Sequence, residues 1–266
     1  MSAAQSSVRR RLAENLKRVR DNVQSACARA RRDPTDVRIV AVTKTVEVDI
    51  IRQVLEHGLV DIGESRGQQL NQRAAMLHEF VTRRQRLGGA AEQSPARPSW
   101  HMVGHLQRNK VRMIVPWVHM VHSVDSLRLA EELQTHAESA GRDVDILLQV
   151  NTSGERSKSG VAVGAVSHIA EHIAPLARLK VRGLMAMAPL EATQSAVRLC
   201  FDRLREVFED MRSEGVVGRE FDQLSMGMSN DYEVAVEAGA TIIRLGHALF
   251  EGVGDAAVTI AADANP

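Results

Sequence analysis

The segment VRIVAVTKTVEVDIIRQVLEHG, residues 37–58, decides the fold class. Its first eight residues, VRIVAVTK, form a short β-branched run that is typical of a buried strand. The residues after it have apolar side chains at helical spacing, and the run ends on Gly58, a residue type that often follows a helix. A strand that leads directly into a helix predicts one unit of a parallel α/β sheet.

The same alternation recurs along the whole chain. Seven more candidate strands follow, at 60–65, 100–105, 119–125, 143–151, 179–188, 223–228 and 241–246. Segments with helical periodicity lie between most of them. Eight such units in about 250 residues are typical of a single (β/α)8 TIM barrel of the α/β class. A doubly wound open sheet is the alternative, and the lack of a GxGxxG motif after the first strand disfavours it.

The residues before the barrel predict one additional helix. Apolar side chains recur at spacings of three and four from Val8 to Ala30, so the helix is expected to pack on the barrel. Residues 1–32 also carry nine Lys or Arg against two acids. This basic face is either a solvated outer surface or a surface for an anionic partner. The expected organisation is an N-terminal helix (1–36), the barrel (37–252) and a C-terminal tail (253–266).

Composition narrows the class of function. The 266 residues include 34 Lys+Arg against 33 Asp+Glu, with 44% hydrophobic and 3% aromatic residues. This balance is that of a globular protein, and it disfavours nucleic-acid binding by bulk charge or base stacking. No apolar run approaches the ~18 residues of a membrane span, and the N-terminus lacks the apolar core of a secretory signal. We therefore expect a cytoplasmic protein, without membrane association, that binds a small molecule.

Lys44 is the first candidate for chemistry. Barrel enzymes carry their active sites at the C-terminal ends of the strands, and Lys44 ends the first predicted strand. Partial desolvation there would favour the neutral amine, which is a nucleophile toward carbonyl groups and forms Schiff bases. A lysine that simply leaves the strand and reaches solvent is the other interpretation.

A phosphate site is predicted after the last two strands. The segments SMGMSNDYE (225–233) and IRLGHA (243–248) combine glycines that permit close backbone approach with the permanent charge of Arg244. Asn230 and Glu233 are spaced as a variant capping box. Glycines that only make turns are the alternative. A reactive lysine that faces a phosphate site indicates an aldehyde cofactor with a phosphate group, above all pyridoxal phosphate.

The histidines do not predict a metal site. His101 and His105 are four residues apart on a predicted strand, and His119 and His122 are near the next one. Neither pair has a carboxylate or cysteine at a suitable spacing, and two histidines are an incomplete ligand set. Cys27 and Cys200 also match no metal spacing, and both are expected to be reduced.

Several motifs together resemble the pyridoxal phosphate homeostasis protein family, which is related to the N-terminal domain of alanine racemase. The motifs are AVTKT (41–45), WHMVGHLQRNK (100–110), HSVDS (122–126), SKSG (157–160) and LSMGMSNDYE (224–233). The resemblance extends from about residue 8 to residue 252. It implies a fold-type III barrel that holds pyridoxal 5′-phosphate as an internal aldimine.

The resemblance also implies which residues bind the cofactor. The lysine of the family falls on Lys44, and the residues around the phosphate or the ring fall on Ser225, Met226, Ser229, Arg244, Gly246 and His247. Two positions depart from the family pattern, because Ser65 stands where Asn is usual and His247 stands where Thr is common. We expect Ser65 to lose a contact near the ring oxygen and His247 to replace a hydroxyl contact with an imidazole one.

The expected role is to buffer pyridoxal phosphate or deliver it to apoenzymes, as a monomer. Alanine racemases add a second, β-rich domain that supplies an acid or base across the cofactor, and this chain ends soon after the eighth strand. The alternative function is a monomeric amino-acid racemase or decarboxylase. No catalytic residue and no metal ligand is assigned.

Overall fold

Eight parallel strands form a closed barrel surrounded by helices. The computed structural model describes residues 3–86, 97–154, 159–189 and 192–253. The barrel strands are β1 (Arg38–Val42), β2 (Asp61–Glu64), β3 (Ser99–Met102), β4 (Val118–Val124), β5 (Val144–Asn151), β7 (Leu179–Met185), β8 (Gln223–Ser225) and β9 (Ile242–Leu245), while β6 (Val161–Ala162) pairs only with the end of β5. Each of the eight predicted strands is present, so the TIM-barrel prediction is confirmed.

The order of the strands shows how the sheet closes. Neighbouring strands follow the order β4-β3-β2-β1-β9-β8-β7-β5, and β4 also pairs with β5. The first and last strands pair in parallel, with Arg38 opposite Ile242 and Ala41 opposite Leu245. Every strand therefore points its C-terminal end to the same face of the barrel, as the parallel alternation predicts.

Nine helices surround the barrel in the described part of the chain. They are α1 (Ala3–Ala30), α2 (Val48–Glu56), α3 (Gly67–Arg86), α4 (Val111–Ile114), α5 (Leu127–Ser139), α6 (Val166–Ile173), α7 (Gln194–Ser213), α8 (Tyr232–Glu237) and α9 (His247–Phe250). Their apolar faces and the outer face of the sheet form one large core. None of these helices combines the length and the apolar character that a membrane crossing requires.

The interior of the barrel holds a second, smaller apolar cluster. Its buried members are Val40, Val103, Met120, Leu147, Met185 and Ile242. Several other interior positions are polar, and those that form one hydrogen-bonded network are described with the site. Since protein interiors are close-packed, this cluster fills the middle of the barrel.

Helix α1 packs on the last elements of the chain. Leu12, Leu16 and Val19 are buried in the large core. The Asn15 side-chain amide donates to the carbonyl oxygens of Leu249 and Glu251, at 3.0 and 2.9 Å. These contacts join the N-terminal helix to α9, although the division of the chain at residue 36 stays a prediction. Residues 254–266 of the predicted tail lie outside the described residues.

We predict that Asn15→Ala lowers the free energy of unfolding by about 1–3 kcal/mol, because it leaves two carbonyl groups beneath the helix without their donor. Lys17→Ala is the matched control on the same helix, since its ion pair with Asp21 is exposed and such pairs contribute little. Urea titration of both variants measures the difference. Equal stability of the two variants would contradict the anchoring role of Asn15.

Candidate functional site

Three neighbouring strands bring the predicted site residues to one sector of the C-terminal face. Lys44 lies two residues after the end of β1, and Ser225 is the last residue of β8. Arg244 lies in β9 between them, and Gly246 and His247 follow that strand directly. Because β1 and β8 both pair with β9, residues that are 200 positions apart in sequence meet here.

The predicted residues differ in how far they are exposed. Lys44 and His247 are exposed, Ser229 and Gly246 are half-buried, and Ser225, Met226 and Arg244 are buried. The partial desolvation expected for Lys44 is therefore wrong for this structure. The side chain stands beyond the strand end in a turn, outside the packed interior.

The turn that carries Lys44 is held by an arginine from α3. In this turn the backbone N–H of Val46 donates to the Thr43 carbonyl, at 3.1 Å. The Arg73 guanidinium donates to the carbonyl oxygens of Thr43, at 2.6 Å, and Val46, at 2.7 Å. Two carbonyl groups of the turn, one before Lys44 and one two residues after it, are thus fixed by one rigid, planar cation. The turn positions the lysine even though its side chain is exposed.

Glu64 holds the Arg73 side chain in its orientation. Its Oε1 atom accepts hydrogen bonds from Arg73 and from the Thr43 hydroxyl, the latter at 2.6 Å. The Glu64 side chain is fully buried, and its Oε2 atom has no partner among the described residues. A buried carboxylate needs a compensating cation, and Arg73 supplies it.

Gly104 allows the next strand to approach this cluster. A Cβ atom at position 104 would lie 2.3 Å from the carbonyl oxygen of Ser65, which is closer than atoms can pack. The Gly104 carbonyl also accepts the Ser123 hydroxyl, at 2.6 Å. The glycine of the WHMVGH segment is therefore needed for contact between backbones, and Ser123 has a structural role here.

Arg244 is a cation buried inside the barrel. It donates to the Ser225 hydroxyl oxygen, at 2.6 Å, and to the Ala186 carbonyl, at 3.0 Å. Burial lowers the pKa of Arg244 to about 10, although the Asp231 carboxylate opposes this shift. The guanidinium is still charged at neutral pH. Burial also raises the pKa of Asp231, whose carboxylate accepts the Met228 backbone N–H.

The loop after β8 is shaped by Gly227. Its φ of +92° is in the left-handed region, and a Cβ atom there would lie 2.5 Å from the Ala235 side chain. The Met226 N–H is already used by the Ile242 carbonyl, at 3.1 Å. The Ser229 hydroxyl oxygen accepts the Ala248 N–H, at 3.1 Å, which ties this loop to α9.

Two buried histidines continue the network from Ser225 into the barrel. His122 Nδ1 lies 2.8 Å from the Ser225 Oγ, and His122 Nε2 lies 2.9 Å from His101 Nδ1. His101 Nε2 is 2.9 Å from the Asp61 carboxylate. Both histidines are fully buried, while Asp61 is partly exposed at the N-terminal face.

Burial decides the charge of this histidine pair. It lowers the pKa of His101, and the hydrogen bond to Asp61 opposes this shift only in part. It holds the pKa of His122 well below the usual value, and the charges of His101 and Arg244 lower it further. Burial alone would raise the pKa of Asp61, but the His101 hydrogen bond and the charges of His101, Arg38 and His119 together lower it. The network at neutral pH is therefore two neutral imidazoles between a carboxylate and a guanidinium.

Two details of the sequence interpretation are wrong. His105 lies beyond the end of β3, so it does not share a strand with His101, and it is exposed. His119 and His122 both lie in β4, as predicted, and only His122 is buried. Helix α8 begins after Asp231 rather than at the proposed Asn230–Glu233 box. Among the described residues no group of three or more His, Cys, Asp or Glu side chains could hold a metal ion.

Sequence reasoning missed two functional features of the structure. One is the clamp of Glu64 and Arg73 on the Lys44 turn, and the other is the hydrogen-bonded path from Asp61 to His122. A charged residue at each end of the short strand DIGE (61–64) was the available signal, because a buried acid requires a partner on whichever side of the strand it faces. The partners themselves come from α3, β3 and β4, and sequence spacing does not reveal them.

We predict that Arg73→Leu lowers the free energy of unfolding by about 3–5 kcal/mol, because it leaves the buried Glu64 carboxylate without a cation. The double variant Arg73→Leu/Glu64→Leu removes that charge and should recover part of the loss. Urea unfolding of the wild type, both single variants and the double variant measures this coupling. Strict additivity of the two substitutions would contradict the clamp.

We also predict that stability falls as the pH drops below about 6.5. The unfolded chain then binds protons at both histidines, whereas the folded protein keeps them neutral, so the slope reaches about 1.4 kcal/mol per pH unit for each histidine. His122→Gln should reduce the slope of the unfolding free energy between pH 6.5 and 5. An unchanged slope in His122→Gln would show that His122 titrates as an exposed histidine.

Comparisons with known proteins agree with this architecture. The family described as "Alanine racemase, N-terminal domain" matches residues 15–253. A pyridoxal phosphate homeostasis protein from Pseudomonas aeruginosa is 38% identical over 239 residues, which cover 90% of this chain and 94% of that protein.

Two solved structures are similar throughout. A protein described as unknown from Bifidobacterium adolescentis has a TM-score of 0.82 at 32% identity and covers 94% of this chain and 97% of its own. PipY of Synechococcus elongatus, solved with pyridoxal phosphate bound, has a TM-score of 0.74 at 30% identity. The match covers 90% of this chain and 99% of the PipY chain. The chain therefore belongs to the pyridoxal phosphate homeostasis protein family, within the wider group of alanine racemase N-terminal domains.

Proposed function

We propose that this protein holds pyridoxal 5′-phosphate through the Lys44 amine and buffers the cofactor or delivers it to apoenzymes in the cytoplasm. The relatives that carry the name pyridoxal phosphate homeostasis protein, and the PipY structure with the cofactor bound, support the proposal. The observation that carries it in this chain is the positioned lysine beside a buried guanidinium on adjacent strands.

The residues of this sector fit the chemistry of the cofactor. Lys44 supplies an exposed primary amine, and Arg244 supplies a fixed positive charge that suits an anionic ligand. The contacts described for Arg244 use two of the five N–H donors that a guanidinium has. Met187 follows β7 at the same face, and 42% of it is exposed, so it offers apolar surface to an aromatic ring.

Each side chain has a separate task in this proposal. Pyridoxal phosphate supplies an aldehyde that condenses reversibly with a primary amine, with loss of water. The Arg73 clamp holds the Lys44 turn, so the amine is presented at a fixed place on the rim of the barrel. Ser225 and Arg244 form the buried floor, with the backbone of Met226 beside them, and Ser229, Gly246 and His247 form the wall nearer to solvent. Reversible attachment suits storage and transfer of a cofactor.

We predict that Lys44→Ala abolishes covalent attachment of pyridoxal phosphate and leaves the stability of the fold nearly unchanged, because an exposed turn residue contributes little packing. Lys180→Ala is the matched control, since Lys180 is an exposed lysine on the opposite face of the barrel. Absorption spectra with added pyridoxal phosphate, borohydride reduction and peptide mapping locate the modified lysine.

Each outcome of this experiment has a defined meaning. A label on Lys44 in the wild type and in Lys180→Ala, absent from Lys44→Ala, supports the proposal. A label spread over surface lysines, or retained in Lys44→Ala, would contradict it. Turnover of any amino acid in a broad panel by the loaded protein would show an enzyme rather than a carrier.

A further inference from the structure

A continuous line of four hydrogen bonds crosses the interior of the barrel. It connects, in order, Asp61, His101, His122, Ser225 and Arg244, and the distances are 2.9, 2.9, 2.8 and 2.6 Å. We call these five residues the interior chain. Asp61 lies at the N-terminal end of β2, and Arg244 lies near the C-terminal end of β9. The interior chain therefore joins the N-terminal face of the barrel to the proposed ligand site.

The two ends of the interior chain fix the direction of every hydrogen bond. A carboxylate only accepts, so His101 Nε2–H donates to Asp61. The other nitrogen of a neutral His101 then accepts the hydrogen of His122 Nε2. His122 Nδ1 in turn accepts the Ser225 hydroxyl hydrogen. Ser225 is left with its oxygen lone pairs toward Arg244, which can only donate.

A proton added to the neutral pair of His101 and His122 has only one possible place. The Asp61 side of His101 already holds a hydrogen, and only one hydrogen fits between the two rings at 2.9 Å. The third proton of the pair must therefore lie on His122 Nδ1. There it donates to the Ser225 oxygen, and the hydroxyl hydrogen of Ser225 is released toward another acceptor.

We propose that the interior chain couples ligand binding at Arg244 to the uptake of one proton by the histidine pair. This inference rests on the proposed function, because it assumes an anionic ligand beside Arg244. The negative charge of such a ligand stabilises the additional proton, and a ligand oxygen accepts the released Ser225 hydrogen. Both effects favour the protonated pair in the bound state. His101 and His122 are positioning residues in this scheme, since they act on the ligand through Ser225.

The surroundings of the pair keep it neutral without a ligand. His101 faces Asp61 from β2, Arg38 from β1, and His119 and His122 from β4. His122 faces Arg38, His101, His119 and Arg244. Only Asp61 favours a proton on the pair, and burial and the neighbouring cations oppose it. The free protein at neutral pH therefore has the capacity to take up a proton when an anion arrives.

The first experiment measures the hydrogen positions directly. Long-range 1H–15N NMR spectra of the 15N-labelled full-length protein identify the tautomer of each histidine, with His101→Gln and His122→Gln for assignment. In the free protein at pH 7.5 we expect a hydrogen on the Nε2 atom of both rings. A hydrogen on His122 Nδ1 in the free protein would overturn the proposed direction of the interior chain.

The second experiment measures proton uptake. Pyridoxine 5′-phosphate is the probe, because it lacks the aldehyde and so does not react with Lys44. Calorimetric titrations at pH 7.5 in buffers of different ionisation enthalpy give the protons bound per ligand. We expect uptake of up to about one proton in the wild type and less in His122→Gln. Affinity in the wild type should also fall, by up to about tenfold per pH unit, as the pH rises.

The outcomes separate this inference from the proposed function. Equal proton uptake by the wild type and by His122→Gln, with binding intact, would overturn the coupling and leave the function standing. If the probe does not bind and pyridoxal phosphate does not label Lys44, the proposed function fails and the coupling fails with it. If His122→Gln does not fold, the appearance of a hydrogen on His122 Nδ1 in the ligand-saturated wild type supports the coupling, and its absence overturns it.

Discussion

The pairing of the first barrel strand with the last is the constraint on which the rest of this structure depends. Strands β1 and β9 run side by side from Arg38 and Ile242 to Ala41 and Leu245, and this pairing joins the first and last strands of the barrel. An open, doubly wound sheet would separate these two strands. Closure instead brings the Lys44 turn next to Gly246 and His247, with Ser225 one strand further. The whole proposed site is thus a consequence of closing the sheet, and the same closure removes exposed sheet edges.

Closure also creates an interior that side chains have to fill. Apolar side chains fill the middle of the barrel, and further inward positions carry an acid, two histidines, a serine and an arginine. Each of these polar groups would be costly if it were buried alone. They are tolerated because each of them has a hydrogen-bond partner in one continuous line. The same arrangement gives the barrel a path from one face to the other, and Arg244 lies at the ligand end of it.

Outside the barrel, two helices hold parts of the site in place. Helix α3 sends Arg73 across to the Lys44 turn, and the buried Glu64 keeps that arginine oriented. Helix α1 covers α8 and α9, and Asn22 donates to the Tyr232 hydroxyl, at 2.8 Å. An exposed lysine on a short turn would otherwise have few constraints. Rigid supports of this kind are what a reversible covalent site needs, because the amine must be presented at a defined place.

The sequence by itself determined the strand and helix pattern and favoured the closed barrel, and it made Lys44, Ser225 and Arg244 the candidates for the site, since hydrophobic periodicity and strand-end positions are local properties of the chain. Motif resemblance determined the family. The exposure of Lys44, the Arg73 clamp and the inward line from Asp61 to His122 were decided only by the tertiary structure. They depend on which side chains face each other across β2, β3, β4 and β8, and on packing between α3 and the β1 turn. Contacts between elements that are distant in sequence leave no periodic pattern in the sequence, so only the folded structure shows which residues make them.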